Sequence, residues 1–291
     1  MMEYGLLLKG VGSFYEVLTD AGDTVTCKAR GTFRREGLTP TVGDRVGIER
    51  QEQGYAQLTS ILPRKNILIR PAVANVDQLM IVVSASVPAP DWMLLDRLII
   101  AAEFMGIEPI PVLNKVDTAD ERVRNAFRND YKSFRTLTVS AETGEGIAEL
   151  ESCLKNKVTC FAGQSAVGKS SILNRLLPDL HLETGDLSRK TERGRHTTRH
   201  AELWPYLGGA VLDTPGFSLF ETECLEQEQL DACYPEFKNA TPCRFPGCMH
   251  VTEPGCGVKL LLETEELTAS RYARYVEIAK EFQLRRKHRY D

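Results

Sequence analysis

The chain has 291 residues, of which 42% are hydrophobic and 26% are charged. This balance is ordinary for a globular protein and excludes a chain whose main state is disordered. The 36 basic and 40 acidic residues give a formal net charge of −4. This charge excludes a protein that binds nucleic acid through a uniformly basic surface, so any contact with nucleic acid must come from local basic patches.

The sequence predicts neither a membrane span nor a secretory signal. No apolar run approaches the ~18 residues that a spanning helix needs. The start, Met1–Gly5, carries no basic residue of the kind that opens a secretory signal. We therefore expect a cytoplasmic protein with reduced cysteines and about two or three domains.

Residues 1–64 consist of short β-like runs separated by Gly, Asp and Pro. The runs are Leu6–Lys9, Ser13–Leu18, Asp23–Lys28, Arg45–Glu49 and Tyr55–Ile61. Short strands at this spacing predict a small closed all-β barrel. Barrels of the OB type often bind oligonucleotides on aromatic side chains. Four aromatic residues are candidates either for base stacking or for the core, namely Phe14, Tyr15, Phe33 and Tyr55.

Strands and helices alternate from residue 76 onward. The predicted strands are Val76–Ser84, Ile107–Leu113, Thr136–Val139 and Val158–Ala162. The predicted helices are Trp92–Met105, Ala119–Asn129, Ile147–Leu154 and one from Lys169 to about Leu177. Ala201–Tyr206 and Ala210–Leu212 flank Gly208-Gly209, which is typical of a hairpin. The alternation predicts a mainly parallel sheet with helices on both faces.

The predicted strand that ends at Leu113 leads into Asn114-Lys115-Val116-Asp117. An aspartate can accept hydrogen bonds from both N1–H and the 2-amino group of guanine, whereas adenine offers neither donor. Asn114 and Lys115 would shape the base pocket. A backbone amide of Ser140-Ala141, at the end of the next strand, could reach the guanine O6. Because the motif has only four positions, a charged loop after a buried strand is the alternative.

A phosphate-binding motif lies between a predicted strand and a predicted helix. The segment Gly163-Gln164-Ser165-Ala166-Val167-Gly168-Lys169-Ser170-Ser171 matches G-x-x-x-x-G-K-[ST]. Its glycines allow backbone N–H groups to turn toward phosphate oxygens at a helix N-terminus. Lys169 would reach the β- and γ-phosphates, and the Ser170 hydroxyl would ligate Mg²⁺. A glycine-rich turn that arose by chance is the alternative, and the strand–loop–helix context disfavours it.

Two later motifs could respond to a γ-phosphate. In Asp213-Thr214-Pro215-Gly216, the Asp213 carboxylate could hold Mg²⁺ through water and the Gly216 N–H could contact the γ-phosphate. Between this motif and the phosphate loop lies Gly194-Arg195-His196-Thr197-Thr198, where we favour Thr198 over Thr197 as a Mg²⁺ ligand. A solvated loop is the alternative for this segment.

Residues 222–291 contain a loop rich in Cys, Pro and Gly between predicted helices near Gln227–Phe237 and Thr268–Arg286. Its metal-binding candidates are Cys243, Cys248, His250 and Cys256. Three thiolates and one imidazole favour tetrahedral Zn²⁺ in a closed structural site. Free buried cysteines beside a surface histidine are the alternative.

Five of these segments together resemble the nucleotide motifs of a Ras-type GTPase, namely GQSAVGKSS, HTT, DTPG, NKVD and SA. Their order differs from that of a Ras-type GTPase, because NKVD and SA precede the other three in this chain. With the barrel and the Cys/His loop, this order is similar to the RsgA (YjeQ/YloQ-like) circularly permuted GTPases, which assist small ribosomal subunit maturation. The resemblance implies an RNA-binding OB-fold over 1–64, a permuted α/β P-loop GTPase domain over 65–222 and a mostly α zinc domain over 223–291. It further implies a protein that binds the small subunit and its rRNA and whose turnover the ribosome stimulates. We expect a monomer, because nothing in the sequence demands a dimer.

Hydrolysis is expected to be slow in the isolated chain. Phe217 follows the Asp213–Gly216 motif at a position where Ras-like enzymes often carry a glutamine that orients water. The resemblance points to His196 as the substitute, so that Lys169, His196 and Thr198 are the catalytic candidates. A solvated histidine is the alternative reading of His196.

Two basic clusters are candidates for RNA contacts, and a solvated face is the alternative for each. They are Arg189, Lys190, Arg193, Arg195 and Arg199, and Arg285, Arg286, Lys287 and Arg289. Two other functions stay open on the residues alone. One is a GTP-dependent regulatory switch unrelated to ribosomes, and the other is a zinc and OB-fold nucleic-acid-binding module with a degenerate nucleotide site.

Overall fold

The structure is a computed structural model that describes residues 2–30, 33, 37–69, 71–180, 201–213 and 227–290, without the side chains of 227, 228 and 285–290. Several predicted residues lie outside this part of the chain. They are His196, Thr197, Thr198, Gly216, Phe217 and the basic cluster between 189 and 199. The side chains of the basic cluster between 285 and 289 lie outside it as well. The described residues form two compact units.

The first unit begins with the predicted closed barrel, which the structure confirms. Its strands are β1 (Met2–Val11), β2 (Phe14–Thr19), β3 (Thr24–Ala29), β4 (Arg45–Glu49) and β5 (Ala56–Ile61). They close in the order β1-β2-β3-β5-β4, with β3 parallel to β5 and the other pairs antiparallel. Alternate residues point inward, and the fully buried core includes Val17, Cys27, Val46, Ile48 and Leu58.

The barrel is followed by a two-stranded ribbon that the sequence did not predict. The ribbon pairs β6 (Ile67–Ile69) with β7 (Ala72–Ala74) in antiparallel register. Its strands have three residues each, so they are too short to show a strand periodicity in the sequence.

The first unit also contains α3 (Ile147–Leu154), β11 (Val158–Ala162), α4 (Lys169–Leu176), β12 (Trp204–Tyr206) and β13 (Gly209–Asp213). Strand β11 runs parallel to β13. Strand β12 pairs antiparallel with β13, so the predicted hairpin is present. A short 3-10 helix, Pro178–Leu180, follows α4.

The second unit contains α1 (Trp92–Phe104), β9 (Glu108–Asn114), α2 (Glu121–Asp130) and β10 (Leu137–Thr138). Helix α1 begins after Asp91, whose side chain accepts from the Leu94 N–H. Strand β9 runs parallel to β10. The remaining strand, β8 (Gln78–Ser84), is buried along its whole length, as expected for a strand inside a covered sheet. Within the second unit the strand order is β10-β9-β8, and within the first unit it is β11-β13-β12.

The C-terminal part of the second unit is mostly helical. It contains α5 (Gln227–Ala232), a 3-10 helix (Pro235–Asn239), α6 (Gly257–Glu263) and α7 (Ala269–Tyr290). The helix predicted over Gln227–Phe237 is wrong in its second half. Tyr234 is extended (φ −110°, ψ 95°) because a residue before proline avoids the helical region, so the chain restarts as a 3-10 helix at Pro235. None of the helices in the described part of the chain is long and apolar enough to cross a membrane.

Candidate nucleotide site and metal centre

The predicted base-binding motif lies at the carboxyl end of β9 and contacts the phosphate loop. The Asn114 amide donates to the Val167 carbonyl (2.9 Å), and its oxygen accepts from the Ala141 N–H (3.1 Å). Asn114 therefore connects three of the predicted motifs through the two ends of one side chain. It is 1% exposed, so these hydrogen bonds satisfy polar groups that have little access to water.

Lys115 occupies the left-handed region (φ 63°), which turns the chain sharply after β9. Its Nζ donates to the Ala166 carbonyl (2.8 Å) and to the Val87 carbonyl. Burial lowers the pKa of this ammonium below its usual value, and the Asp117 carboxylate opposes that shift. Lys115 thus holds the phosphate loop to the base motif as a positioned cation.

Asp117 is exposed, although Val116 before it is buried. The Ser140 hydroxyl is buried and donates to Asp117 Oδ1 (2.6 Å), which fixes the carboxylate orientation. Ser140 Oγ also accepts from the Thr143 N–H (3.1 Å). The arrangement presents an oriented carboxylate toward solvent at the place where the sequence predicts recognition of guanine.

The phosphate loop approaches neighbouring backbone so closely that two glycines are required. A Cβ on Gly163 would lie 2.1 Å from the Val82 carbonyl oxygen, at φ +137°. A Cβ on Gly168 would lie 2.3 Å from Asn114 Nδ2, at φ +99°. The loop is therefore pressed against β8 and the base motif, with Gln164, Ser165 and Ala166 exposed.

Helix α4 begins at Lys169, directly after the loop, as the motif predicts. Burial lowers the pKa of the Lys169 ammonium below its usual value, while Asp213 at the end of β13 raises it. The Ser170 hydroxyl lies 3.5 Å from Asp213 Oδ2. An ammonium, a hydroxyl and a carboxylate are thus gathered at the start of α4, which is a donor set suited to phosphate and Mg²⁺.

The four predicted metal ligands come together. The Cys243, Cys248 and Cys256 sulfurs and a ring nitrogen of His250 all lie within 4.8 Å of one another, and all but Cys243 are buried. His250 Nδ1 is 3.2 Å from Cys256 Sγ and 3.5 Å from Cys243 Sγ. A tetrahedral site with Zn–S bonds of ~2.3 Å places ligand atoms about 3.7 Å apart, so the set fits zinc.

The loop over residues 242–257, called the metal loop below because it carries the four predicted ligands, favours the thiolate form of Cys243 through its backbone. Burial raises the pKa of the Cys243 thiol, but the Gly257 N–H, which donates to its sulfur (3.3 Å), outweighs burial together with other nearby donors. The resulting pKa lies below the usual value. A Cβ on Gly257 would lie 1.7 Å from the Thr241 carbonyl, so only glycine brings this N–H to the sulfur.

Sequence reasoning missed the buried charges that hold α7 in the second unit. Arg271 is 0% exposed and pairs with Asp96 on α1 and with Glu236 (3.2 Å). Arg274 pairs with Asp96 (2.6 Å) and with Asp130 on α2 (2.9 Å). No local signal in the sequence identifies these partners, because Glu236 lies 35 residues from Arg271 and the aspartates lie more than a hundred residues from the arginines.

Two family models match the chain. The model described as the RsgA GTPase matches residues 61–223, and the model of the RsgA N-terminal domain matches residues 4–57. Among curated proteins, the chain is 46% identical to the small ribosomal subunit biogenesis GTPase RsgA of Ruminiclostridium cellulolyticum, over 96% of this chain and 93% of that protein. It is 43% identical to the protein of the same name from Caldanaerobacter subterraneus, over 98% of each.

Two solved structures are similar to this chain over nearly its full length. The crystal structure of YjeQ from Thermotoga maritima has a TM-score of 0.86 and 37% identity, covering 97% of this chain and 99% of that one. The structure of YloQ, described as a circularly permuted GTPase, has a TM-score of 0.83 and 35% identity, covering 98% and 96%. These likenesses extend over essentially the whole chain and confirm the predicted fold class.

Proposed function

This chain belongs to the RsgA family of GTPases, and on that premise we propose that it binds the small ribosomal subunit late in maturation. Family membership makes it a GTP-hydrolysing enzyme of ribosome biogenesis. One observation carries the proposal: curated relatives that match nearly the full length are named for biogenesis of the small ribosomal subunit. Hydrolysis of GTP to GDP and phosphate would then time release from the subunit.

We propose that the predicted motifs bind GTP. Asp117 would accept from guanine N1–H and the 2-amino group, and a backbone amide of Ser140-Ala141 would reach O6. The support is the exposed, oriented carboxylate of Asp117 and the contacts that Asn114 and Lys115 make with the loop. The proposed GTP-binding residues are Asn114, Lys115, Val116, Asp117, Ser140, Ala141, Gly163, Gln164, Ser165, Ala166, Val167, Gly168, Lys169, Ser170, Ser171, Asp213 and Gly216.

Catalysis would rest on positioning and charge. Lys169 would stabilise the charge that develops on the transferred phosphate. Ser170 and Thr198 would ligate Mg²⁺, with Asp213 acting through water, and the 3.5 Å approach of Ser170 to Asp213 supports that pairing. Bound Mg²⁺ supplies charge neutralisation for the phosphates. His196 would orient the attacking water, because Phe217 has no polar group to do so.

We propose that Cys243, Cys248, His250 and Cys256 hold one structural zinc ion. The support is the short spacing of three sulfurs and one ring nitrogen. Four protein ligands complete a tetrahedron, so no coordination position stays open for catalysis. The ion would shape the loop between the 3-10 helix Pro235–Asn239 and α6.

We propose that the barrel contacts rRNA through an exposed aromatic pair. Phe14 and Tyr55 pack edge to face with ring centroids 4.9 Å apart, and both are exposed. Lys28 Nζ lies 5.0 Å from the Phe14 centroid and 5.1 Å from that of Tyr55. Aromatic faces beside a cation suit an unstacked base and its phosphate. Phe33, in contrast, is buried and belongs to the core.

The proposed domain organisation is an OB-fold over 1–64, a permuted GTPase domain over 65–222 and a zinc domain over 223–291. The family-model matches to residues 4–57 and 61–223 support the boundary between the OB-fold and the GTPase domain and the boundary between the GTPase domain and the zinc domain. We further propose that the protein acts as a monomer in the cytoplasm, where it would meet assembling small subunits.

The test is the rate of GTP hydrolysis with and without purified small ribosomal subunits, at low and moderate salt. We expect subunits to stimulate turnover and salt to reduce the stimulation, since phosphate contacts release counterions. Free RNA and an unrelated protein serve as controls and should not stimulate. Equal rates with and without subunits would contradict the proposal and favour a regulatory switch unrelated to ribosomes.

A further inference from the structure

We propose that Asp231 is a positioning residue for the metal site, which fixes the His250 ring so that Nδ1 faces the three cysteines. The inference rests on the zinc site proposed above and adds a residue outside the metal loop. Asp231 lies on α5, before the first cysteine of the loop.

The two ring nitrogens of His250 have different neighbours. Nδ1 faces the sulfurs of Cys243 and Cys256 at 3.5 and 3.2 Å. Nε2 faces Asp231 Oδ2 at 3.2 Å. The ring therefore lies between the thiols and a carboxylate, with one nitrogen directed to each.

This arrangement decides which nitrogen is free to bind a metal. A neutral imidazole carries one N–H, and a metal ligand must be the nitrogen without it. A carboxylate beside Nε2 accepts the N–H and keeps the proton there, which leaves the lone pair of Nδ1 directed at the sulfurs. Carboxylate partners of this kind typically contribute 10–100-fold to metal affinity.

Asp231 is itself held by the second unit's core. The Tyr275 hydroxyl donates to Asp231 Oδ1 (2.8 Å), and its single proton is shared with the Met249 carbonyl (3.1 Å). Tyr275 is fully buried on α7 and packs edge to face against Tyr234 and Phe237. The carboxylate therefore does not swing freely, and the packing of α5 against α7 sets its position relative to His250.

The histidine backbone is anchored by the same helix. The Tyr272 hydroxyl on α7 donates to the His250 carbonyl (2.6 Å). His250 also adopts a positive φ of 59°, a region that is uncommon for residues other than glycine. Backbone and ring are thus positioned by separate contacts, so removing Asp231 releases the ring while the backbone anchor stays.

The experiment compares full-length wild type, Asp231→Ala, Asp231→Asn and Leu230→Ala, each loaded with zinc. A chromophoric chelator competes for the metal, and the equilibrium gives the relative affinity. We expect Asp231→Ala to weaken zinc binding by about 10–100-fold. Asp231→Asn should lose less, because its amide oxygen still accepts from Nε2–H but without the charge.

Leu230→Ala is the matched control for packing. Leu230 is the preceding residue on α5 and is fully buried in the same core, but it is not a polar partner of His250. If Leu230→Ala lowers zinc affinity as much as Asp231→Ala, the effect is structural and the inference is overturned. Wild-type affinity in Asp231→Ala also overturns it.

Cobalt substitution supplies a readout that packing alone would not move. The absorption bands of Co²⁺ report its ligands and their geometry, so release of the His250 ring in Asp231→Ala should shift them relative to wild type while Leu230→Ala should not. An unshifted spectrum in Asp231→Ala contradicts the inference. A wild-type chain that binds neither zinc nor cobalt overturns the metal site itself, which distinguishes that failure from a failure of Asp231 alone.

Discussion

Gly163 and Gly168 determine how closely the phosphate loop approaches its neighbours. Each has a positive φ, and an added Cβ would meet Val82 O at 2.1 Å or Asn114 Nδ2 at 2.3 Å. The first contact is with backbone of β8, which cannot move without disturbing a buried strand. The second is with the far end of a side chain, which already has a structural role. Both glycines are therefore required by the close approach of other atoms as well as by backbone conformation.

We predict that Gly163→Ala weakens GTP binding by at least about tenfold, which corresponds to ~1.4 kcal/mol. The reason is the forced displacement of the loop from β8, added to a backbone strain of ~1–3 kcal/mol. Calorimetric titration with GTP and Mg²⁺ measures the change.

Gly54→Ala is the control for that prediction, because Gly54 has φ +91° but no atom within 4 Å of an added Cβ. Gly54→Ala should introduce the same kind of backbone strain, but its affinity for GTP should stay within about twofold of that of wild type. Equal losses in both variants would show that backbone strain acts at a distance from the loop and that the contact with Val82 is unimportant.

At the scale of elements, α7 is held in the second unit by buried charge. Arg271 and Arg274 share the Asp96 carboxylate on α1, and the Tyr131 hydroxyl donates to the same group (2.6 Å). The Arg271 guanidinium also lies over the Tyr234 ring at 4.7 Å. Replacing one partner of such a pair leaves the other charge buried without compensation, which is costly.

Asp96→Ala is therefore expected to lower the free energy of unfolding by about 3–5 kcal/mol. Glu281→Gln is the matched control on α7, because the pair Glu281–Arg97 is partly exposed and such pairs contribute about 0–1 kcal/mol. Urea denaturation followed by far-UV circular dichroism measures both. A loss below 1 kcal/mol in Asp96→Ala would mean that the packing of apolar residues alone holds α7.

The elements also show what local sequence can and cannot predict. Strand β4 and helix α3 match their predicted bounds, since a buried run or an amphipathic period lies entirely within the segment. Helix α6 was not predicted, because it is short and follows a loop rich in Cys, Pro and Gly. The predicted helix over Gln227–Phe237 breaks before Pro235, where local proline chemistry overrides an otherwise helical pattern.

In the candidate site, too, local sequence predicts some residues and misses others. The motifs identify Asn114, Asp117 and the loop, because each needs particular residue types in a fixed order. They do not identify Val87, whose carbonyl accepts from Lys115, since a backbone carbonyl is not specified by its side chain. Asp231 is missed for a different reason, because its partner His250 lies in another segment and the pairing depends on tertiary packing.

At the scale of the whole molecule, the order of the motifs places the C-terminal module (residues 222–291) soon after the Asp213–Gly216 motif in the chain. Asp213 ends β13, and the chain then leads through residues 214–226 into α5 and the metal loop. We hypothesise that the nucleotide state repositions the C-terminal module through this covalent link.

The hypothesis predicts different hydrogen-exchange protection of residues 227–284 with GDP and with a non-hydrolysable GTP analogue. Protection should change in α5 and the metal loop, which follow the link directly. The barrel strands provide an internal control and should be unaffected. Identical protection of the C-terminal module in both states would remove the hypothesis.

The central claim is that the loop from Gly163 to Ser171 holds a triphosphate whose base Asp117 selects. Calorimetric titration of wild type and Asp117→Ala with GTP and with ATP, in the presence of Mg²⁺, tests it most directly. The account predicts that wild type prefers GTP by orders of magnitude and that Asp117→Ala loses most of that preference, since the donors on guanine then lack their acceptor. Equal affinity of wild type for GTP and ATP, or a preference for GTP unchanged in Asp117→Ala, would contradict it.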